Sequence, residues 1–579
     1  MSSWSSRKRD IALASFVTGV VVFLLLAYFL PGKSSNASKL SHGGTQAVRL
    51  VTVPSGTVTV AITSPPHGFN PDNVAGADSS TAMIMRLVWP QVFWMEPNLQ
   101  PSLDSSLVTS AYVMSLNPQT IVYHLNPRAT WSNGTPINAD DFIYDWKVHL
   151  PGAMQANGHP YSVPSTTGYE DIKSVVGSDN GSVVTVVFRH PFADWKSLFN
   201  SLPPAQLLDK VGWNSGFNRF SKDAMVSGGP FEISAYLPGK EVVLSRNPRY
   251  FGPKPSLAHL IFKIIPKRSQ EVADLGQHLV DVIFPHPNFS LMEEVGSLGG
   301  VISQSDLSMR YEQLDFNLSN PILANLNVRK AIAYATNRTV MMEDTVGQLY
   351  PSSRLLGNHL FMNIQPGYVN NGAEYDKPHI RTARKLLAEA GYLPLGGPYL
   401  SSGTKALKLT LTADAASMQS RVVEHLFVRQ MAKVGIDVTI SNAPSSSALF
   451  QRLVSGNYDI ALVGLRASPY VAYNTLQYSS ILSAGGVPQD VTGFESTYAD
   501  SLILEASEEL SPSKAFSLYN RVDQYLWAQM VSLPLFEEPS LLAYNHYDVG
   551  ITDNVTKAGP VFDAYSWSVV RPQETRTQP

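Results

Sequence analysis

Residues 123–146 read YHLNPRATWSNGTPINADDFIYDW. Thr120 to His124, leading into it, alternate β-branched and aromatic residues in the manner of a strand. The following WSNG is a turn, because Asn-Gly accepts the backbone geometry of a tight reversal. ADDFIYDW then opens a helix, and its adjacent carboxylates, Asp140 and Asp141, raise the functional question. They are an acid pair, metal ligands, or the start of a helix. Neighbours on a helix point about 100° apart, so the two do not converge on one ligand. Asn138 is a good N-cap, which puts Asp140 and Asp141 at the second and third helical positions. Carboxylates there complement the helix dipole and close a capping box. Phe142 and Trp146, four residues apart, form an aromatic face. The pair is therefore read as a helix start.

The rest of the chain sets bounds on that reading. With 579 residues it is too long for one ordinary core, so two or three domains are expected. The net charge of −3 gives no basic surplus, and no nucleic-acid partner is expected. There is no cysteine, which removes disulfides, thiolate nucleophiles and thiolate metal sites, and also the lipid-bearing cysteine of a lipoprotein. Arg7, Lys8 and Arg9 precede an uncharged apolar run from Ile11 to Leu30. Basic residues before such a run mark an export signal, and about 20 residues span a ~30 Å hydrocarbon core. The segment is expected as a transmembrane or signal helix, retained as an anchor or cleaved near Ser35-Asn36-Ala37. Either form puts the body outside the cytoplasm.

Strand and turn signals dominate the first half, at Val58–Ile62, Val183–Phe188, Phe231–Tyr236, Glu241–Leu244 and Leu260–Ile265. Beyond about residue 320, helices alternate with strands. Asn327–Asn337, Ile380–Ala390 and Ser420–Lys433 have helical spacing, and Leu407–Thr412, Ile436–Ile440 and Tyr458–Val463 read as strands. The alternation predicts an α/β lobe with a partly parallel sheet.

Chemistry-bearing motifs are missing. There is no GxSxG, HExxH, P-loop or Rossmann glycine fingerprint. Ser511-Pro512-Ser513-Lys514 matches SxxK but reads as a capped helix with proline at its first position. His190 and His286 sit beside prolines and read as loop histidines. No catalytic residue, metal ligand or cofactor is expected.

The opening stretch also resembles the signature of the family 5 extracellular solute-binding proteins of ABC transporters, the oligopeptide- and dipeptide-binding group. Four further segments resemble that family's motifs in the same order: GGPFEISAYLPGKEVVLSRNPRY at 228–250, FNLSNPILANLNVRKAIAYATNR at 316–338, RTARKLLAEAGY at 381–392 and LPLFEEPSLLAYN at 533–545. The resemblance implies an α/β, two-lobed clamshell with an inserted subdomain, preceded by the N-terminal helix. It divides the chain into 1–50 (helix and tether), 51–89, 206–311 and 534–579 (lobe I), 90–205 (inserted subdomain) and 312–533 (lobe II). Crossings near Met309–Asn317 and Pro534–Ser540 would be the hinge. The implied function is capture of a peptide or peptide-like small solute between the lobes and delivery to ABC permease subunits, by a monomer held at the membrane through its N-terminal helix. A non-transport sensor or surface chaperone on the same scaffold, and a carrier of a non-peptide solute, are the alternatives.

In peptide-binding members an aspartate after a lobe II strand pairs with the peptide's ammonium. Here Ser468 takes the aspartate's place and Leu465 that of the preceding tryptophan. Glu537 or Glu538 is then the substitute acid, while Arg466 suits a carboxylate or phosphate through its planar fork of donors. Position suggests further lining residues: Pro66, His67 and Phe69 after the first strand, Tyr161 and Tyr169 in the inserted subdomain, and Tyr311 and Asn317 at the first crossing. Tyr470, Phe536 and Glu537 complete the expected ligand-binding set with Arg466 and Ser468.

Overall fold

In the computed structural model, residues 50–52, 56–221, 224–394, 398–403, 405–480 and 489–572 are described. The expected N-terminal helix and the Ser35–Ala37 site lie outside them. Among the described residues no helix is long and apolar enough to cross a membrane.

The opening stretch folds as a strand, a turn and a capped helix. Gln119–Leu125 runs antiparallel between Val108–Leu116 and Val183–Phe188, and Ile172–Ser178 completes a four-stranded sheet. The Gly134 amide closes the turn on the Trp131 carbonyl at 2.8 Å, with φ at +92°, where a side chain would be strained. The helix Ala139–Val148 begins at Asn138, whose side chain accepts from the Asp140 amide at 2.8 Å. Asp141 reaches back to the Asn138 amide at 3.1 Å, completing the capping box. Asp141 does more than serve the dipole. It is buried, its second oxygen accepts from the Ala205 amide at 3.0 Å, and burial pushes its carboxyl up to about 7.

Two larger sheets organise the body. The first has seven strands, in the spatial order Val301–Gln304, Leu542–Asn545, Val282–Ile283, Thr57–Ile62, His259–Ile264, Glu241–Arg246 and Phe231–Leu237. Thr57–Ile62 is parallel to both neighbours. The second has five strands, Asp437–Ile440, Lys408–Thr412, Ile460–Arg466, Leu307–Phe316 and Ser532–Pro539. Lys408–Thr412 is parallel to both its neighbours, as the alternating pattern predicts. Each sheet heads its own core. Val58, Phe262 and Leu542 join Tyr123, Trp131 and Phe142 in one cluster, so the four-stranded sheet shares a core with the seven-stranded one. Leu314, Leu411, Leu462 and Phe536 belong to another.

The chain passes between these sheets at two adjacent places. Ser305 and Asp306 link Val301–Gln304 to Leu307–Phe316, and Ser540 and Leu541 link Ser532–Pro539 to Leu542–Asn545. The Ser540 amide donates to the Asp306 carbonyl at 2.8 Å, so the links are tied together. The segments expected as crossings, Met309–Asn317 and Pro534–Ser540, are instead mostly strand, and the links precede and follow them. The second of these strands holds Pro534 and Pro539. They are tolerated because Ser532–Pro539 is an edge strand, where a missing amide breaks no ladder bond.

A second departure lies in NVRKAIAYATNR. The single helix expected over 327–337 stops at Ala335, and a new one runs Arg338–Glu343 with Asn337 as its cap, accepting from the Val340 amide at 3.2 Å.

Candidate functional site

Arg310 lies on Leu307–Phe316 and Arg466 ends Ile460–Arg466. They are direct register partners across the antiparallel ladder. Like charges placed opposite one another disfavour pairing, so the arrangement calls for a counter-charge. Both side chains line a cavity of about 470 Å³, within the range of small-molecule sites.

The facing wall belongs to the seven-stranded sheet. Thr63 and Ser64 follow the C-terminal end of Thr57–Ile62, and Asp78 and Ser79 start the helix Ser79–Met85. Phe284 to Pro287 follow Val282–Ile283, and Thr556 and Lys557 come from the loop before Gly559–Ser566. The carboxyl ends of parallel strands are where open α/β sheets hold ligands.

The lining is strongly cationic. Arg268, Arg310, Arg466 and Lys557 contribute charge, and His286 a titratable ring. Arg466 Nη1 donates to the Val555 carbonyl at 2.7 Å, reaching from one wall to the other. Burial, and then Arg310, push the Arg466 guanidinium down to about 10. The surrounding walls, and then Arg466, also lower Lys557. Lys557 makes no hydrogen bond or ion pair among the described residues.

Two acids line the same space, and Asp78 pulls Lys557 upward from there. Asp78 accepts from the Thr81 amide at 2.9 Å, the Thr81 hydroxyl at 2.8 Å and the His67 amide at 3.1 Å. Burial raises Glu271 to about 7, against the opposing pull of Arg268.

Behind the lining lies a buried acid. Glu538 Oε2 meets His286 Nε2 at 2.8 Å and Arg310 Nε at 3.1 Å, and its Oε1 accepts from Gln419 at 3.0 Å. Burial alone would raise its pKa, but His286 and Arg310 outweigh that and hold it well below the usual carboxylate range. Glu312, packed against it, is driven the other way by burial and by the Glu538 charge, and keeps its proton. Glu538 therefore belongs to the supporting structure and is engaged already, which leaves it no capacity as a substitute partner for an ammonium.

Of the twelve residues expected to bind ligand, Arg466 alone is among those lining this cavity. Pro66 is buried, and His67 stands exposed beside Asp78. Phe69 is 1% exposed and packs edge-on against Tyr236, because its strand exit turns it into the first core. Tyr161 packs on Trp213, and Tyr169 stacks on His149 while its hydroxyl donates to Asp145 at 2.7 Å. Tyr311 and Phe536 are core residues at 1% and 0% exposure. They fall on strands where free crossing segments were expected. Asn317 donates to the carbonyls of Gly456 and Tyr458, lining a separate polar recess. Glu537 accepts from the Asn363 amide and is raised to about 7, with burial as the chief cause. Ser468 accepts from the Tyr470 amide at 3.1 Å, and the Tyr470 hydroxyl donates to the Lys196 carbonyl at 3.0 Å. That segment docks on the 90–205 region rather than lining the cavity.

Sequence reasoning missed Arg310, Lys557 and the role of His286. His286 carried a weak signal, a histidine after a short strand. Lys557 carried none, since a loop lysine is ordinary. Among the described residues no group of three or more histidines and acids is placed to hold a metal ion.

A cavity walled by two sheet-centred lobes, joined by two short links, defines a two-lobed binding clamshell. The chain belongs to the bacterial extracellular solute-binding proteins, family 5, whose sequence model ("family 5 Middle") matches residues 102–485. Among relatives, it is 27% identical to the oligopeptide-binding protein OppA of Mycobacterium tuberculosis (strain ATCC 25618 / H37Rv) over 498 residues, covering 84% of this chain and 81% of that one. The fold matches the periplasmic EDTA-binding protein EppA with a TM-score of 0.82 at 24% identity, covering 91% and 99% of the two chains. It also matches AppA of Bacillus subtilis, solved with a nonapeptide, with a TM-score of 0.75 at 17% identity, covering 90% and 100%.

Proposed function

We propose that this chain captures a peptide, a peptide-like molecule or another small solute between its lobes outside the cytoplasm and delivers it to an ABC importer permease. The observation that carries this reading is the cavity of about 470 Å³ walled by strand ends and loops of both large sheets. The lobes are taken as 51–89 with 206–311 and 534–579, and as 312–533, with 90–205 inserted in the first. Ser305–Asp306 and Ser540–Leu541 act as the hinge, since short links between rigid sheets are where closure is absorbed. Arg466 is the ligand-binding residue of the sequence-based set, and Arg310, His286 and Lys557 join it. The protein acts as a monomer without catalysis, held at the membrane by the apolar run Ile11–Leu30.

A solute that binds the native state selectively raises the melting temperature. A thermal-shift screen over peptides, amino acids, sugars and metal chelates is expected to give at least one clear upward shift. No shift from any of them sinks solute capture, and a shift accompanied by chemical turnover sinks the non-catalytic reading. The second reading, a non-peptide solute, is favoured by the cationic lining.

A further inference from the structure

We propose that the solute is a small polyanion, carrying at least two carboxylate or phosphate groups, and that its charge draws the lobes together by neutralising cations that each lobe contributes. The inference rests on solute capture between the lobes and specifies its chemistry.

Arg310 and Arg466 face each other across one ladder, and Lys557 approaches from the opposite wall. A purely structural role would pair each cation with an acid. Among the three, only Arg310 has one at ion-pair distance, Glu538, which it shares with His286, while Asp553 acts on Arg466, and Asp72 and Asp78 on Lys557, from farther away. Arg466 has a single carbonyl as partner, and Lys557 has no hydrogen bond or ion pair among the described residues. Burial first, and then repulsion from the neighbouring cation, lower Arg466 and Lys557, against the pull of Glu538 and Asp553 on the one and of Asp72 and Asp78 on the other.

A free ammonium finds no counterpart. Of the lining acids, Asp78 accepts from Thr81 and His67 and already faces Lys557, and burial raises Glu271 to about 7. Ser468, which stands in the place of the family's ammonium-pairing aspartate, accepts from the Tyr470 amide and is not among the lining residues. A planar guanidinium binds an oxyanion through parallel hydrogen bonds, and a neighbouring ammonium adds a point charge.

The Arg310 and Arg466 side chains lie on the five-stranded sheet, whereas Lys557 and Arg268 belong to the other lobe. Without an anion these charges repel across the cleft. A bound polyanion reverses the sign of that interaction, which is the differential affinity for the closed form that ligand-driven closure requires. One carboxylate or phosphate bridges Arg310 and Arg466, and a second meets Lys557.

The test is calorimetric titration of the full chain with citrate, inorganic phosphate, triglutamate, trialanine and trilysine at low salt. Citrate or triglutamate is expected to bind at least about tenfold more tightly than trialanine, and to weaken several-fold when salt is raised. Phosphate binding alone assigns the tetrahedral anion, whereas citrate binding alone assigns the carboxylate. Arg466→Gln is expected to lower citrate affinity about tenfold or more and Lys557→Gln several-fold, with melting in the absence of ligand showing that each variant folds. Binding of trialanine or trilysine as tight as that of the anions overturns the polyanion inference and leaves solute capture standing. Unchanged citrate affinity in both variants overturns it as well. No binding by any probe, together with no hit in the thermal-shift screen, removes solute capture and this inference with it.

Discussion

His286 Nε2 lies 2.8 Å from Glu538 Oε2, joining a loop of the seven-stranded sheet to the edge strand of the five-stranded one. The same carboxylate holds Arg310, so it orients a cation of the cleft and a tie between the lobes at once. Glu538→Ala leaves His286 and Arg310 without that acceptor. The expected cost is about 2 kcal/mol in urea unfolding at neutral pH, discounted because Arg310 is partly exposed. Because the folded pKa is depressed from 4.5, this stabilisation is complete above about pH 4.5 and fades as pH falls below it. Unchanged stability at neutral pH would remove Glu538 as the organising charge.

Glu312 carries the opposite sign. Its folded pKa lies well above 4.5, so the native chain keeps a proton that the unfolded chain releases. Stability therefore falls as pH rises above about 4.5. Glu312→Gln keeps the shape and a donor without this loss. Its melting temperature relative to the parent is expected to climb as pH rises above about 4.5. A pH-independent difference would show that Glu312 ionises freely.

The opening carboxylates separate by the same logic. Asn138→Ala removes one cap and is expected to cost about 1 kcal/mol. Asp141→Ala strips the partners of the Asn138 and Ala205 amides, for roughly 2–3 kcal/mol. Asp140→Ala, at an exposed position, is expected to stay within about 0.5 kcal/mol. Denaturant midpoints order the three, and equal effects of Asp140 and Asp141 would contradict the burial of Asp141.

Arg338 closes the segment NVRKAIAYATNR and is fully buried. Its guanidinium donates to the carbonyls of Tyr375, Leu356, Pro534 and Gly372 and to Asp376. One side chain thus ties a helix start to the strand Ser532–Pro539. Arg338→Lys keeps the charge but loses the fork, with an expected cost of about 3 kcal/mol. A loss under about 1 kcal/mol, read by thermal or urea unfolding, would rule out this anchoring role.

Much of the fold was legible because its signals are local. Asn138 and Asp141 announce their helix, and Gly391 stands where the helix Ile380–Glu389 ends, with φ at +86°. The crossings, placed by resemblance, lie a few residues away, in Ser305–Asp306 and Ser540–Leu541, because the strands on either side run up to those links. The site was far less legible. Arg466 stood out at a strand end, but Arg310 became a partner only through the ladder register, and Lys557 only through a loop more than 90 residues away. The aromatic candidates lie outside the cavity for the reverse reason. Phe69, Tyr311 and Phe536 are as apt for a core as for a cleft, and the packing of strands around them decided for the core.

Solute capture as proposed closes the two lobes. The chain has no cysteine, so Lys240→Cys and Lys385→Cys introduce a single pair of labelling sites, both exposed. One sits on the hairpin of the seven-stranded sheet and the other on a helix of the second lobe. Double electron–electron resonance between spin labels there measures their separation directly. A solute that raises the melting temperature is expected to shift the distance distribution and narrow it. A distribution unchanged by every stabilising solute would contradict closure.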